Sequence, residues 1–383
     1  MTLSPSKHTV IDYLVQVKPE LEEMVYKIGI TRIGGIGPRN ARKLINHFGS
    51  PKKVFDAPKK ELQNIFGIGD KRLGEIKSGV ALSKAEKELA SIRSSGVRAL
   101  YFEDDDYPRR LKQLPDAPIV LYWLGECDLN SATFLSVVGT RKPSAHGLQQ
   151  CARIIQELKP FNPVIVSGLA YGIDVCAHRA ALENDLKTIG VIAHGLDDIY
   201  PASHRSLTKK IQQSGGLLTE YPGHVKAERE FFPMRNRIIA GLSDATLVIE
   251  TKKRGGSMIT ADLSNGYSRD VLALPGRPGD EYSEGCNWLI KKNKAQLVDS
   301  AEDIADYLGW MVKSPKAIQS KLFNELSQEE YQIVKLFEVE KLLSIDQIAI
   351  LADLPQSQLA KLLLELEFKS VLTCLPGKRY KLL

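Results

Sequence analysis

Asp174 and His178 stand four positions apart in a helical pattern and so share one face, the spacing of a general acid/base pair. No serine or cysteine is placed beside them as a nucleophile. The plainer reading has Asp174 helping to cap the helix and His178 supporting the core through a hydrogen bond, with His194 and His204 packed in the same way. The stronger chemical signal is a series of short turns, each following an apolar run: Gly139-Thr140-Arg141-Lys142-Pro143-Ser144, Ser167-Gly168-Leu169-Ala170-Tyr171-Gly172-Ile173-Asp174, His194-Gly195, Glu250-Thr251-Lys252-Lys253-Arg254-Gly255-Gly256-Ser257 and Pro275-Gly276. Glycine lets a backbone approach a ligand closely, and N–H groups at helix starts attract anions. Arg141, Lys252 and Arg254 supply positive charge. Phe231-Phe232-Pro233-Met234-Arg235-Asn236-Arg237 adds two guanidiniums and an amide beside aromatic rings, a combination suited to stacking and to bidentate phosphate contact. The expectation is one positive, phosphate-binding groove formed by Gly139, Arg141, Lys142, Ser167, Gly168, Lys226, Arg235, Asn236, Arg237, Gly256 and Ser257.

The elements that must position these residues alternate regularly. Apolar runs at Phe134 to Val138, Val164 to Val166, Thr188 to Ala193, Leu217 to Thr219, Ala245 to Ile249 and Val271 to Leu274 interleave with helical patterns near 146–158, 173–184, 203–213, 234–242 and 257–267. That rhythm predicts βαβ units, a mostly parallel sheet covered on both faces, and a doubly wound, Rossmann-like α/β core, whose ligands lie beyond the carboxyl ends of the strands. Upstream, Val97 to Phe102 and Ile119 to Leu124 read as two more strands around an acidic turn, Glu103 to Asp106, whose carboxylates are expected to be solvated. No G-x-x-x-x-G-K-[ST] loop and no strand-linked G-x-G-x-x-G appears, so ATP hydrolysis and dinucleotide redox chemistry lack their usual signatures. No catalytic residue, metal or cofactor is assigned.

Of 383 residues, 43% are hydrophobic and 26% charged, which is ordinary globular composition. No stretch approaches the roughly 20 uncharged apolar residues of a membrane helix. Met1 to Lys18 lacks the layout of a secretory signal, so the expected location is cytoplasmic. Five scattered cysteines without a C-x-x-C pair suggest reduced, packed thiols. The net charge of +6 is localised: residues 1–80 hold 14 Lys and Arg against 8 Asp and Glu, which accounts for all of it. The same segment repeats a G-I-G turn, Ile33-Gly34-Gly35-Ile36-Gly37-Pro38-Arg39 and Ile65-Phe66-Gly67-Ile68-Gly69-Asp70-Lys71-Arg72, each followed by a helical pattern. Such turns look like those of helix-hairpin-helix modules, whose exposed N–H groups receive phosphate oxygens. After a Lys313 to Lys316 link, helices at Ser344 to Leu351 and Ser357 to Glu367 precede a strand pair, Val371 to Leu375 and Arg379 to Leu382, which reads as a winged helix. Its second helix, rich in leucine with one lysine, suits packing or protein contact better than groove reading. Three domains are expected: a helix-hairpin-helix domain over 1–90, a Rossmann-like core over 91–312 and a winged helix over 313–383.

The ordered series Gly139-Thr140-Arg141, Ser167 to Asp174 with Ala177-His178, Phe232 to Gly241, Gly256-Ser257-Met258-Ile259-Thr260-Ala261 and Pro275-Gly276 resembles the DprA/Smf family of bacterial DNA-processing proteins. The resemblance spans about residues 96–305 and continues upstream through Tyr107-Pro108, Leu111, Leu114-Pro115-Asp116 and Pro118. It departs at Thr140, where serine is frequent, and the C-terminal domain varies within the family. It implies a non-enzymatic homodimer that binds and protects single-stranded DNA entering during natural transformation and helps load the RecA recombinase. The rival resemblance is to nucleotide-processing hydrolases of the lysine-decarboxylase-like group, marked by P-G-G-x-G-T-x-x-E. At that loop Arg254 replaces the proline, and the second glycine and the glutamate are absent.

Overall fold

Burial on both faces explains why the strands of this chain read as unbroken apolar runs. The structure, a computed structural model, describes residues 21–65, 67–131, 133–311, 326–337, 342–369, 371–375 and 377–382, in two compact units over 1–311 and 312–383. In the first unit nine strands form one sheet: β1 Arg98–Tyr101, β2 Val120–Gly125, β3 Phe134–Gly139, β4 Val164–Ser167, β5 Thr188–Val191, β6 Gly216–Thr219, β7 Ala245–Ile249, β8 Asp270–Ala273 and β9 Gln296–Leu297. Their order is β1-β2-β6-β5-β4-β3-β7-β8-β9; β3 to β9 are parallel, and β1 and β2 close one edge in antiparallel pairing. The Rossmann-like parallel sheet expected from the sequence is therefore present.

Strand β3 shows how the two faces are covered. Leu135 and Val137 share a core with Cys151, Ile154 and Ala177 from the helices Ala145–Glu157 and Ile173–Glu183. Phe134 and Val138 point the other way, with Ile238, Ile239, Met258 and Ala261 from Phe231–Leu242 and Gly256–Gly266. Chain order reverses at β3: β4, β5 and β6 spread to one side, β7, β8 and β9 to the other. The crevice at such a switch point is where open α/β sheets place ligands.

The helical residues preceding β1 pack into the same core, Ile28, Ile30, Leu44 and Leu62 joining Tyr101, Tyr122 and Trp123. Arg32 donates to Glu88 at 2.8 and 3.0 Å and to the Tyr122 hydroxyl at 2.8 Å, a part-buried contact between this module and β2. Arg42, in the Pro38–Phe48 helix after the first G-I-G turn, donates to the Lys112 and Leu114 carbonyls at 3.3 and 2.9 Å. The acidic turn is tied internally: Asp104 accepts from Lys27 and the Tyr101 N–H, and Asp106 pairs with Arg98. The C-terminal unit has helices Gln328–Leu336, Ile345–Ala352 and Gln356–Phe368 and the strands β10 Leu343–Ser344, β11 Leu372–Leu375 and β12 Arg379–Leu382, ordered β10-β12-β11. Ile333, Ile348, Leu359, Leu363, Leu366 and Tyr380 make its separate core. Among the described residues no helix is long and apolar enough to cross a membrane.

Candidate nucleic-acid interface

Three of the strand-end turns interlock through backbone alone. Thr140 N–H donates to the Glu250 carbonyl at 2.7 Å, and Ile173 N–H donates to the Thr140 carbonyl at 3.2 Å. Gly172 has φ +85°, and a Cβ there would stand 2.3 Å from the Thr140 oxygen. A Cβ on Gly139 would stand 2.0 Å from the Ile249 oxygen. These glycines allow the approach of three chain segments that any side chain would force apart. Arg141 and Lys142 therefore project from a fixed base.

They project into a cleft of about 820 Å³ at the switch point. The Arg141 guanidinium lies 5.6 Å from the Phe232 ring centre, and Phe232 lies 5.9 Å from Tyr200, which is exposed. Across the cleft Lys252 sits 5.0 Å from the Tyr282 ring and pairs with Glu281. Arg141, Lys142 and Arg229 are exposed and make no ion pair among the described residues. Cations beside rings that reach the surface can hold a phosphate and stack a base at once.

The floor is different in character. Arg235 is 4% exposed and donates to the Val191 carbonyl and, at 3.3 Å, to Asn236. Burial is the main force lowering its pKa to about 10, and Arg141 adds to the effect, while Asp174 opposes it; the group stays cationic at neutral pH. Asp174 lies in the first turn of its helix, where Gly172 and not Asp174 is the N-cap; its carboxylate turns back and accepts from Ala170 N–H at 3.3 Å. Burial raises its pKa, and Arg235 pulls the other way. His178 is fully buried and its pKa falls to about 4, chiefly from burial. In that neutral form Nε2–H donates to the Gly168 carbonyl at 2.6 Å and Nδ1 accepts from the Thr188 hydroxyl at 2.7 Å. His178 thus braces the β4 turn from below, as the plainer sequence reading has it.

Of the eleven expected residues, Gly139, Arg141, Lys142, Arg235, Asn236, Gly256 and Ser257 line the cleft. The other four do not. Ser167 is buried and donates to the Val137 carbonyl at 2.6 Å. Gly168 lies beneath the floor, its Cα facing Asp174 and Arg235. Arg237 turns away, donating to the Asp116 carbonyl at 2.6 Å and to Glu220. Lys226 is exposed one residue before the lining begins at Ala227. Tyr200, Arg229 and Tyr282 line the cleft without having been expected; each is isolated in a loop, and its one signal is an aromatic or basic residue beyond a strand's carboxyl end.

The helix starts differ in their readiness for an anion. Glu250, at φ +49°, folds its carboxylate onto Ser144, accepting from the backbone N–H at 2.8 Å and from the hydroxyl, so the Ala145–Glu157 helix start is already filled. The Gly256–Gly266 helix begins at Gly255 with no side-chain cap, and a Cβ on Gly256 would meet nothing within 4 Å. In the helical module the Gly34 N–H of the first G-I-G turn donates to Glu75 at 2.6 Å, so a carboxylate of the second repeat sits on the first.

Comparison with known proteins places these features. The family described as DNA recombination-mediator protein A matches residues 98–309, and a SAM-like helix-hairpin-helix tandem matches residues 28–81. Protein Smf of Synechocystis is 37% identical over 291 residues, 75% of this chain and 73% of that protein. The DNA processing protein DprA of Bacillus subtilis is 39% identical over 226 residues, 59% of this chain and 76% of that protein. The X-ray structure of DprA from Streptococcus pneumoniae superposes with TM-score 0.60 at 33% identity, covering 74% of this chain and 97% of that one. A DNA processing protein A from Helicobacter pylori, described for its single-stranded DNA binding mode, superposes with TM-score 0.51 at 30% identity, covering 55% of this chain and 95% of that one.

Proposed function

We propose, on the premise that this chain belongs to the DNA recombination-mediator protein A family, the DprA/Smf proteins, that its cleft holds single-stranded DNA and that the protein passes the strand to a RecA recombinase without turning over a substrate. The observation that carries this reading is the row of exposed cations beside aromatic rings that reach the cleft, two half-buried and one exposed: Arg141 on Phe232, Phe232 near the exposed Tyr200, and Lys252 on Tyr282. Stacking platforms along a positive groove suit unpaired bases, which duplex DNA does not present. The Helicobacter pylori relative's single-stranded DNA binding supports the same ligand. His178 has both ring nitrogens engaged in the core, and His194 has both engaged with the Gly195 carbonyl and the Tyr200 N–H, which supports binding without chemistry. In this reading the protein is a homodimer, and two linked clefts would raise avidity on one long strand. The 1–90, 91–312 and 313–383 modules, the last a winged helix, act in this reading as a DNA-touching arm, the strand-binding core and a protein-contact domain in a cytoplasmic protein.

Titration of fluorescent single strands and duplexes of equal length over a range of salt tests the ligand. Single strands are expected to bind more tightly at every salt concentration; equal or stronger duplex binding overturns the assignment. For the second step, RecA, ATP and DNA coated with single-strand-binding protein are mixed with and without this protein. Faster filament formation is expected. No acceleration at any stoichiometry removes the mediator role, and release of a base or phosphate from nucleotides would restore the hydrolase reading.

A further inference from the structure

Away from the cleft the fold brings two of the chain's cysteines together. Cys151 lies on the Ala145–Glu157 helix and is buried; Cys176 lies on the neighbouring Ile173–Glu183 helix and is half-buried. Small buried residues let these helices approach closely, Ala177, Ala180 and Ala181 on the second sharing a core with Cys151 on the first. The Cys176 Sγ is 3.5 Å from the Leu148 carbonyl, within the helical turn that carries Cys151, and Cys176 packs against the core that holds Cys151. Cys127 and Cys286 are buried elsewhere, and Cys374 is exposed in the other unit.

We propose that Cys151 and Cys176 form a dithiol site oxidised by hydroperoxides, with Cys176 attacked first and Cys151 resolving the product to a disulfide. The Cys176 thiolate takes one peroxide oxygen as the O–O bond breaks, leaving a sulfenic acid on Cys176 and releasing hydroxide, which a solvent proton converts to water. The Cys151 sulfur then attacks the Cys176 sulfur, the S–O bond breaks, and hydroxide departs with the Cys151 proton as a second water. Two thiols are oxidised to one disulfide, and one peroxide is reduced to two waters. Reactivity is divided between the two positions by their surroundings. The neighbouring Cys151 thiol and the Arg179 charge hold the Cys176 thiol below the ordinary range, opposing burial and Glu183, and Cys176 is partly open to solvent. Cys151 is shielded from peroxide yet lies on the helical turn against which the Cys176 sulfur packs.

The full-length protein is treated with hydrogen peroxide and analysed by mass spectrometry without reduction. The expected result is loss of two hydrogens per chain, loss of two of the five free thiols, and a linked peptide pair containing Cys151 and Cys176, all reversed by dithiothreitol. With Cys151→Ser the sulfenic acid has no resolving thiol, so dimedone is expected to tag Cys176. With Cys176→Ser neither the disulfide nor a dimedone tag on Cys151 is expected. The exposed Cys374 is the internal control. If oxidation follows exposure, labelling Cys374 while Cys151 and Cys176 stay unlinked in the unmodified sequence, the proposal is overturned whatever the variants do.

Discussion

Replacing Arg141 separates the two contributions that the cleft offers a single strand. The side chain is exposed, makes no ion pair among the described residues, and places its guanidinium 5.6 Å from the centre of the Phe232 ring. Its charge and its stack can therefore be removed one at a time. Arg141→Lys keeps the charge and gives up most of the planar stacking, a loss of about 0.5–1 kcal/mol, or roughly two- to fivefold in Kd. Arg141→Ala also removes a charge-assisted hydrogen bond of about 1.5–3 kcal/mol, so single-strand affinity should fall by roughly thirty- to seven-hundredfold in all. The salt dependence distinguishes them. Each phosphate neutralised on a single strand contributes about 0.7 to the slope of log K against log salt, so the alanine variant's deficit should shrink by about 2.6-fold between about 50 and 200 mM salt. The lysine variant should retain the parent slope. Fluorescence anisotropy with one labelled strand reads both quantities. An alanine variant that loses affinity but keeps the parent slope would refute the phosphate contact, and one that loses neither would remove Arg141 from the interface.

Four further outcomes follow from the same geometry. Deleting residues 1–80 should weaken DNA binding modestly and mainly at low salt, because those residues carry the excess positive charge; unchanged affinity there would make the module a scaffold. Gly172→Ala should lower stability by about 1–3 kcal/mol in urea titration, since φ +85° and a Thr140 oxygen 2.3 Å from the new Cβ leave it no relaxed position; a neutral result would mean the turns are not interlocked. His178 is held neutral with a pKa of about 4 against an unfolded value of about 6.5, so its contribution is fully present above the unfolded value. That contribution is lost as pH falls from about 6.5 to about 4, by roughly 1.4 kcal/mol per unit inside the window. Urea midpoints should show this fall in the parent and less of it in His178→Gln; parallel curves would contradict it. Residues 317–383 alone should leave no footprint on defined duplex DNA, because the Gln356–Phe368 helix sets one lysine against two glutamates and exposes Leu364 and Phe368, which suits protein contact better than a groove.

What could be read from the sequence follows from what each residue's neighbours in the chain can dictate. Phe134 to Val138 announced a strand because both its faces are buried, leaving an apolar signal five residues long. Gln296–Leu297 gave none, being two exposed residues that pair with β8 only because the sheet is already there. Arg235 and Arg237 looked equivalent within one motif, yet two positions on a helix turn through roughly 200°, so one reaches the cleft and the other Asp116 and Glu220. That divergence was available from helical geometry. The fold of Glu250 onto Ser144 was not, because it depends on a left-handed backbone and on a partner 106 residues away.

That partnership bears on which nucleic-acid species can compete for the protein. With Glu250 seated on Ser144 and Glu75 on Gly34, two of the backbone cradles that would trap a lone phosphate already hold a built-in anion. Within the cleft a mononucleotide meets the uncapped start at Gly256 and scattered surface cations, so it gains few contacts at once and should exchange quickly. A polymer sums the same weak contacts along its length. Because no deep cradle fixes any one phosphate, it can also shift its register without leaving. If the cleft holds a single strand as proposed, it then works as a rail, indifferent to nucleotide pools and to sequence, along which the strand can slide and from which it can be lifted segment by segment.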